Sequence, residues 1–271
     1  MFVVEGVPLA VEEAAREWAG EAGVSVAIGS EEDLVAALAR GGLAYVVSAG
    51  AAGWAEEAAF VEAGVKGVVT DPPATGPLPH LSVLGGEYVH WGEVGFLGGI
   101  LTGYSGGKQA VGLVEGEAGD GMDEVRTGFE QGARYSCPRC RVVRLPAAGF
   151  DPAEFVRNGV EAVFVTPGSG AREAAERAGA GGLWVIGYAG SGDLTAERLA
   201  AWIRPAPEAL VGSALESLAD GGEGQSWSYS VESGSLLLTD LRAEAISPGK
   251  QRLAQEAWAL LRGGQLQLLE P

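Results

Sequence analysis

Ser105 lies in a G-x-S-x-G pattern, Gly103 to Gly107, of the kind that exposes a nucleophilic serine in many hydrolases. Such a serine occupies a turn from a strand into a helix, and its hydrolase triad places a histidine later in the chain. Here the pattern ends an apolar helical segment, and no histidine follows His90. We therefore interpret these residues as the carboxyl end of a helix and expect no catalytic serine.

The sequence offers no recognisable metal ligand set and no cofactor motif. A zinc site would need two ligands besides Cys137 and Cys140, and the two histidines of the chain are not spaced to supply them. The pair Gly107-Lys108 resembles part of a phosphate-binding loop, but Thr102 and Gln109 stand where that motif has glycine and serine or threonine. We expect no metal and no cofactor, and we expect that the protein is not an enzyme.

Two segments that follow apolar, strand-like runs are candidates for ligand binding: Glu115, Gly116 and Glu117 in the first, and Gly168 and Ser169 in the second. Ligands of open α/β sheets collect beyond the carboxyl ends of the strands. The two carboxylates would accept hydrogen bonds from ligand hydroxyls, or would simply be solvated. The backbone N–H groups of the second segment would point at a ligand, or would form an ordinary strand-to-helix turn. Both segments indicate binding, without chemistry on the bound molecule.

Apolar periodicity predicts strands and helices that alternate along the whole chain. The predicted strands run over 2–5, 24–28, 44–47, 67–70, 81–84, 110–114, 142–145, 162–166, 183–187 and 202–204. Alternation at this pace predicts parallel sheets built from βαβ units, and its two successive runs predict an α/β fold of two doubly wound lobes.

Three local patterns add detail to this prediction. Residues 93–104 form a buried helix in which Gly98, Gly99 and Gly103 permit close contact. Ser30, followed by an acid three residues later, begins a helix with a capping-box-like pattern. Residues 227–231 and 235–238 are typical of a hairpin.

Charge and hydropathy exclude several classes of protein. The formal net charge of the 271-residue chain is −18, which argues against nucleic acid and against an anionic membrane surface as partners. No apolar run approaches the ~20 residues that a membrane-spanning helix requires. The first ten residues do not resemble a signal peptide, so we expect either a cytosolic protein or a mature chain whose signal was removed.

Cys137 and Cys140 are separated by two residues, which leaves three interpretations. They form a local disulfide in an oxidising compartment, or a free pair of thiols. A thioredoxin-like redox motif is disfavoured, because such a motif opens a helix after a strand, whereas this pair follows a predicted helix. We expect a surface disulfide or close dithiol, far from any ligand.

Several motifs resemble those of the basic membrane protein family, also called Med or PnrA-like, whose members are substrate-binding lipoproteins of ABC transporters. Its E-x-x-YLAG … VGFVGG signature is matched in order by Glu93, Gly95, Phe96, Leu97, Gly99, Val111, Gly112, Val114 and Gly116. Its later motifs are similar to the segments Gly128–Gly132, Trp184–Gly187 and Leu218–Gly221.

This resemblance implies a type I periplasmic-binding-protein fold whose chain crosses three times between the lobes, near residues 105–109, 197–200 and 223–225. One lobe would then comprise 1–107 with 199–223, and the other 108–198 with 225–271. The implied function is that of an extracytoplasmic solute-binding protein of an ABC import system, which binds a small polar solute between its lobes. Its partners would be the solute and the permease subunits. It would contact the membrane only through an N-terminal lipid anchor, which would have been removed from this chain. The alternative is a sensory or regulatory lipoprotein that has lost solute binding and acts through a protein partner.

The resemblance also suggests which residues bind the solute. Gly168 and Ser169 lie in a shortened form of the family's glycine-rich ligand loop, and Arg204 replaces a family lysine. Tyr188 lies beside the position of a family acid that holds ribose hydroxyls, so we expect purine nucleosides to bind weakly. The complete predicted site is Gly50, Glu115, Gly116, Glu117, Gly168, Ser169, Tyr188 and Arg204.

Overall fold

The computed structural model describes residues 1–50, 53–56, 58–71, 76–106, 109–116, 121–189 and 196–269, with the backbone alone for 56 and 86–88. The chain divides into two units. The first comprises Met1–Val89 with Ala206–Ser235, and the second comprises His90–Pro205 with Leu236–Pro271.

The first unit is a six-stranded parallel sheet with helices packed on it. Its strands lie in the order β11-β5-β4-β3-β1-β2. Leu34, Phe60 and Val69 belong to its core. Its elements are β1 (Phe2–Val4), α1 (Leu9–Glu21), β2 (Ala27–Gly29), α2 (Glu31–Arg40), β3 (Tyr45–Ala49), α3 (Gly53–Glu56), α4 (Ala58–Glu62), β4 (Lys66–Thr70), β5 (Leu81–Val89), α9 (Glu208–Ala219) and β11 (Ser226–Tyr229).

The second unit repeats this plan, with one antiparallel strand at the edge. Its strands lie in the order β12-β10-β9-β8-β6-β7, and β12 runs against β10. Phe155, Val163 and Val185 belong to its core. Its elements are α5 (Trp91–Gly106), β6 (Ala110–Glu115), α6 (Met122–Ser136), β7 (Arg141–Pro146), α7 (Pro152–Arg157), β8 (Val160–Val165), α8 (Ala171–Ala180), β9 (Trp184–Tyr188), β10 (Leu199–Pro205), β12 (Leu236–Thr239) and α10 (Pro248–Arg262).

The chain passes between the units three times, but at places other than those predicted. The first passage precedes α5, because α5 packs against α6 and against the sheet of the second unit, where Gly98 meets the ring of Phe164. The second passage follows β10, which continues beside β9 as far as Pro205. The three passages lie at Val89–His90, Pro205–Ala206 and Ser235–Leu236, in place of 105–109, 197–200 and 223–225.

The predicted hairpin over 227–231 and 235–238 is wrong. β11 pairs in parallel with β5 in the first unit, whereas β12 pairs with β10 in the second. The turn between them does form, since the backbone N–H of Ser230 donates to the hydroxyl of Ser235 at 3.0 Å. A turn signal therefore marked the passage between two units rather than the tip of a hairpin.

The predicted capping box of α2 is confirmed. The backbone N–H of Asp33 donates to the Ser30 hydroxyl oxygen at 3.3 Å, and the backbone N–H of Ser30 donates to the Asp33 carboxylate at 3.0 Å. The hydrogen bonds from Ser30 lower the pKa of the Asp33 carboxyl. The ionised Asp33 carboxylate therefore stabilises the folded protein at pH values above the ordinary carboxyl pKa. This stabilisation is lost as the pH falls through the lowered pKa.

Helices α5 and α6 touch backbone to backbone through glycines. A Cβ atom on Gly95 would overlap the carbonyl oxygen of Val125, and one on Gly99 would overlap that of Phe129. The contact is reciprocal, because a Cβ on Gly132 of α6 would overlap the carbonyl oxygen of Phe96. Spacing of four residues places such glycines on one helix face. The predicted close contact at Gly99 is thus confirmed, with α6 as the partner.

We expect Gly99→Ala to lower the free energy of unfolding by about 1–3 kcal/mol or more, because the added methyl group meets backbone that cannot turn aside. The matched control is Gly20→Ala in α1, where a Cβ meets nothing within 4 Å. That change should stabilise by up to ~1 kcal/mol through helix propensity. Urea unfolding measures both, and equal stability of Gly99→Ala and wild type would contradict the packing described.

Cys137 and Cys140 form a disulfide, one of the two states predicted. The bond precedes β7, so it lies at the amino end of that strand. Reducing it should expose two thiols, where the untreated folded protein has none that react with Ellman's reagent. Because the closed loop spans only four residues, Cys137→Ser with Cys140→Ser should cost no more than about 2 kcal/mol of unfolding free energy. Reactive thiols in the untreated protein would contradict the bond.

Candidate functional site

A cavity of about 490 Å³ lies at the carboxyl ends of β6, β7 and β8 in the second unit. The loops that follow these three parallel strands form its wall together with the first turns of α8. Its lining residues are Glu115, Gly116, Pro146, Ala147, Ala148, Gly149, Ser169, Gly170, Glu173 and Arg177.

Glu115, the last residue of β6, is oriented by an arginine of α6. Arg126 donates from Nε to Oε1 of Glu115 at 2.8 Å and from Nη2 to Oε2 at 3.2 Å, while its Nη1 donates to Asp123 at 2.7 Å. The Glu115 side chain is 17% exposed. Its hydrogen bond raises the pKa of Arg126 above the ordinary value, so the guanidinium remains charged. The carboxylate is thus fixed and its charge compensated, while lone pairs remain for a ligand.

Gly116 brings the loops after β6 and β8 together. Its backbone N–H donates to the hydroxyl of Thr166 at 2.8 Å, and the N–H of Thr166 donates to the carbonyl of Val114 at 3.0 Å. Thr166 is fully buried. A Cβ on Gly116 would lie 2.7 Å from the carbonyl oxygen of Pro167, so a larger residue would push the two loops apart.

The loop after β8 leads into the first turn of α8 at the cavity. Gly168 and Gly170 have φ angles of 133° and 77°, which a glycine tolerates and other residues rarely adopt. No side chain caps the start of α8, and Ser169 and Gly170 line the cavity there. The first backbone N–H groups of a helix lack partners within the helix. The N–H of Ala171 donates to the carbonyl of Gly168 at 3.2 Å, so the donors that this end of α8 offers beside the exposed Ser169 hydroxyl are the N–H groups of the next two residues.

The loop after β7 is held between β6 and α8. The N–H of Ala147 donates to the carbonyl of Glu115 at 2.6 Å, and Nη2 of Arg177 donates to the carbonyl of Ala147 at 3.1 Å. The Arg177 guanidinium lies 6.0 Å from the centre of the Phe150 ring, and its Nη1 lies 3.5 Å from Glu173. Both acids that line the cavity are therefore paired with an arginine.

The structure brings together part of the predicted site. Glu115, Gly116 and Ser169 all line this cavity, and Gly168 belongs to the same loop as Ser169. Arg177 and the residues after β7 line the cavity but were not predicted from the sequence. The spacing of Gly170, Glu173 and Arg177 along one face of α8 is the signal that was available.

Three further predicted residues do not line this cavity. Tyr188 is buried at the end of β9, where its ring centre is 5.6 Å from that of Trp91. Arg204 is half-buried in β10, in register with Leu237 of β12. Gly50 belongs to the first unit, where its N–H donates to the carbonyl of Thr70 at 2.8 Å. Glu117 lies outside the described residues.

Two further features bear on chemistry. Within the described ranges, no group of three or more histidine, cysteine, aspartate or glutamate residues is arranged to hold a metal ion. Among the described helices, none combines the length and the apolar character needed to cross a lipid bilayer.

No family model matches the chain, and no curated protein is similar to it in sequence. Solved structures are similar in fold. An ABC transporter system solute-binding protein from Conexibacter woesei is 18% identical with a TM-score of 0.64, covering 99% of this chain and 97% of that one. A transcriptional activator of the comK gene from Bacillus halodurans is 17% identical with a TM-score of 0.65, covering 99% of each chain.

AraP, an arabinose-binding protein from Geobacillus stearothermophilus, is 14% identical with a TM-score of 0.56, covering 88% of this chain and 95% of that one. What these proteins share with the chain is the fold. The predicted type I periplasmic-binding-protein fold is confirmed: two α/β units, each built on a six-stranded and mostly parallel sheet.

Proposed function

We propose that this protein is the solute-binding component of an ABC import system and a divergent member of the basic membrane protein family. The observation that carries the proposal is the cavity at the carboxyl ends of β6, β7 and β8, where ligands of such sheets collect. The likeness in fold to the Conexibacter woesei solute-binding protein supports it. The protein acts outside the cytoplasmic membrane, held there by a lipid anchor, and delivers its solute to the permease subunits.

The cavity binds by hydrogen bonds and contact, without chemistry on the solute. The Ser169 hydroxyl and the first N–H groups of α8 donate, and the carboxylates of Glu115 and Glu173 accept. Pro146, Ala147 and Ala148 supply an apolar wall. A few placed polar groups beside apolar surface are the usual composition of a small-molecule site.

The charges of the cavity favour a neutral, hydroxyl-rich solute. Glu115 is compensated by Arg126 and Glu173 by Arg177, so the site presents donors and acceptors with little net charge. An ionic solute would have to break one of these pairs, and hydroxyl groups would not. The arabinose named for AraP is a solute of this neutral class. We propose a sugar rather than a purine nucleoside.

The other residues of the predicted site stay predictions. They are Gly50, Glu117, Gly168, Tyr188 and Arg204. Arg204 would donate hydrogen bonds from its planar guanidinium to a solute oxygen. Tyr188 would present an aromatic ring and a hydroxyl where the family has an acid that binds ribose.

A second candidate function is regulatory, and the similarity to a transcriptional activator of the comK gene favours it. Such a protein would act through a protein partner and would need no solute. Titration with solutes separates the two candidates.

We expect a neutral pentose or hexose to bind with micromolar affinity, while inosine, guanosine and adenosine bind weakly or not at all. Isothermal titration with arabinose, ribose, galactose and the three nucleosides tests this. Saturation at about 100 times the dissociation constant should add roughly 2.7 kcal/mol to the unfolding free energy. Micromolar binding of a nucleoside would show that the solute class is wrong. Binding of none of the six would favour the regulatory function.

Filling the cavity should abolish binding without unfolding the protein. Ser169 is exposed and lines the cavity, so Ser169→Trp places an indole where the solute would lie. We expect at least a tenfold loss of sugar affinity and a melting temperature close to that of wild type, since exposed positions change stability little. The control is Ser25→Trp, at an exposed serine of the first unit. If Ser169→Trp binds as tightly as this control, the cavity is not the solute site.

A further inference from the structure

Helices α1 and α9 of the first unit border an open groove of about 500 Å³. The small residues that line it, which we call its floor, include Ala14 of α1, Ala22 directly after α1, and Ala209 and Gly212 of α9. Side chains of this size let another backbone approach closely. The groove belongs to a different unit from the solute cavity, so the two can be tested apart.

The walls of the groove are acidic. Glu17 and Glu21 line it from α1, and Glu216 and Asp220 line it from the end of α9. Its lining residues include no lysine and no arginine. In the part of the chain that the structure describes, these four carboxylates form no ion pair with a basic side chain.

The carboxyl end of α1 adds to this negative potential. It has a partial negative charge, which a lysine or arginine in its last turn would offset, and α1 carries no basic residue there. The end of α9 is compensated, because Nζ of Lys66 donates to the carbonyl of Leu218 in the last turn of α9. The negative potential of the groove therefore comes from its four carboxylates and from the end of α1.

Trp18 gives the groove an aromatic surface. It lines the groove and is half-buried, and its ring meets that of Tyr45 edge to face with ring centres 5.1 Å apart. An indole is the best aromatic partner for a lysine or arginine that lies on its face. An apolar floor, acidic walls and one tryptophan match a ligand that is basic and partly apolar.

We propose that the groove between α1 and α9 docks a basic amphipathic helix of a partner protein. The lining of α9 extends from Glu208 to Asp220, about 18 Å at 1.5 Å per residue, which is the length of a short helix rather than of a single ion. The small floor residues would receive the apolar face of that helix, and the acidic walls its lysines and arginines. Charge complementarity selects the partner, because a net charge of −18 already disfavours acidic surfaces.

The test uses a fluorescein-labelled helical peptide of about 17 alanine and lysine residues, long enough to span the groove. Its anisotropy is titrated with the full-length protein at low salt, where charge attraction is least screened. We expect saturable binding, and none by a matched alanine–glutamate peptide. The variant Glu17→Lys with Glu216→Lys should bind the basic peptide at least about tenfold more weakly, because it reverses two charges of the wall.

The control variant is Glu5→Lys with Glu244→Lys, which makes the same change in net charge at exposed residues outside the groove. It should bind within about twofold of wild type if the groove is the site. Should the reversed groove variant prove unstable, Glu17→Gln with Glu216→Gln keeps the side-chain shape and should still weaken binding.

Three results would overturn the proposal: no binding of the basic peptide, equal weakening by the groove and control variants, or no weakening by either groove variant. Equal weakening would mean attraction to the net charge alone. Ser169→Trp should bind the peptide as wild type does, so a failure of the solute site leaves this test unaffected.

Discussion

The backbone contact between α5 and α6 is the constraint on which the second unit depends. Glycines on both helices remove the side chains that would hold the two axes apart. One of these contacts is that of Gly95 with the carbonyl of Val125, one residue before Arg126. Because α6 is fixed at this point, the Arg126 guanidinium reaches Glu115 with both donors. The orientation of a carboxylate in the cavity thus depends on the absence of side chains between two helices.

The cavity of the second unit and the groove of the first unit differ in how their acidic side chains are paired. In the solute cavity each lining acid is paired with an arginine, and the polar groups that remain suit hydroxyls. In the groove between α1 and α9, Glu17, Glu21, Glu216 and Asp220 form no ion pair with a described basic side chain, and the carboxyl end of α1 adds to their charge. Neutral sites select by hydrogen-bond geometry, whereas charged surfaces select by potential and speed association. The two proposals therefore assign discrimination among small solutes to one surface and attraction of a basic partner to the other.

The sequence predicted the features that depend on local periodicity. The alternating strands, the buried helix at 93–104 and the capping box at Ser30 all follow from patterns within a few residues. Glu115, Gly116 and Ser169 could be placed after strands, because the end of a parallel strand can be located without knowing what faces it; that they bind a solute stays a prediction. The passages between units were misplaced for the opposite reason. Because α5 is buried on all sides, its sequence does not indicate which of the two sheets it covers. The end of this helix near Ser105 was therefore predicted as the passage between the units, which instead precedes the helix.

The missed parts of the cavity depend on distant residues. Arg177 of α8 donates to the carbonyl of Ala147 in the loop after β7, thirty residues away in the chain. No residue near Ala147 in the sequence indicates this hydrogen bond. The pairing of Glu115 with Arg126 requires the crossing of α5 and α6 to be known first. Such contacts follow from packing between elements, which a pattern within one element does not contain.

The glycine contacts between α5 and α6 also account for much of the resemblance to the basic membrane protein family. Gly95, Phe96 and Gly99, then Gly128 and Gly132, carry much of the likeness to the basic membrane protein family, and these residues meet between α5 and α6. A lineage could exchange every residue that touches the solute and keep these, since altering one glycine would require its opposite neighbour to move. Resemblance at these positions therefore reflects how two helices pack, and it carries no information about which solute the loops would bind.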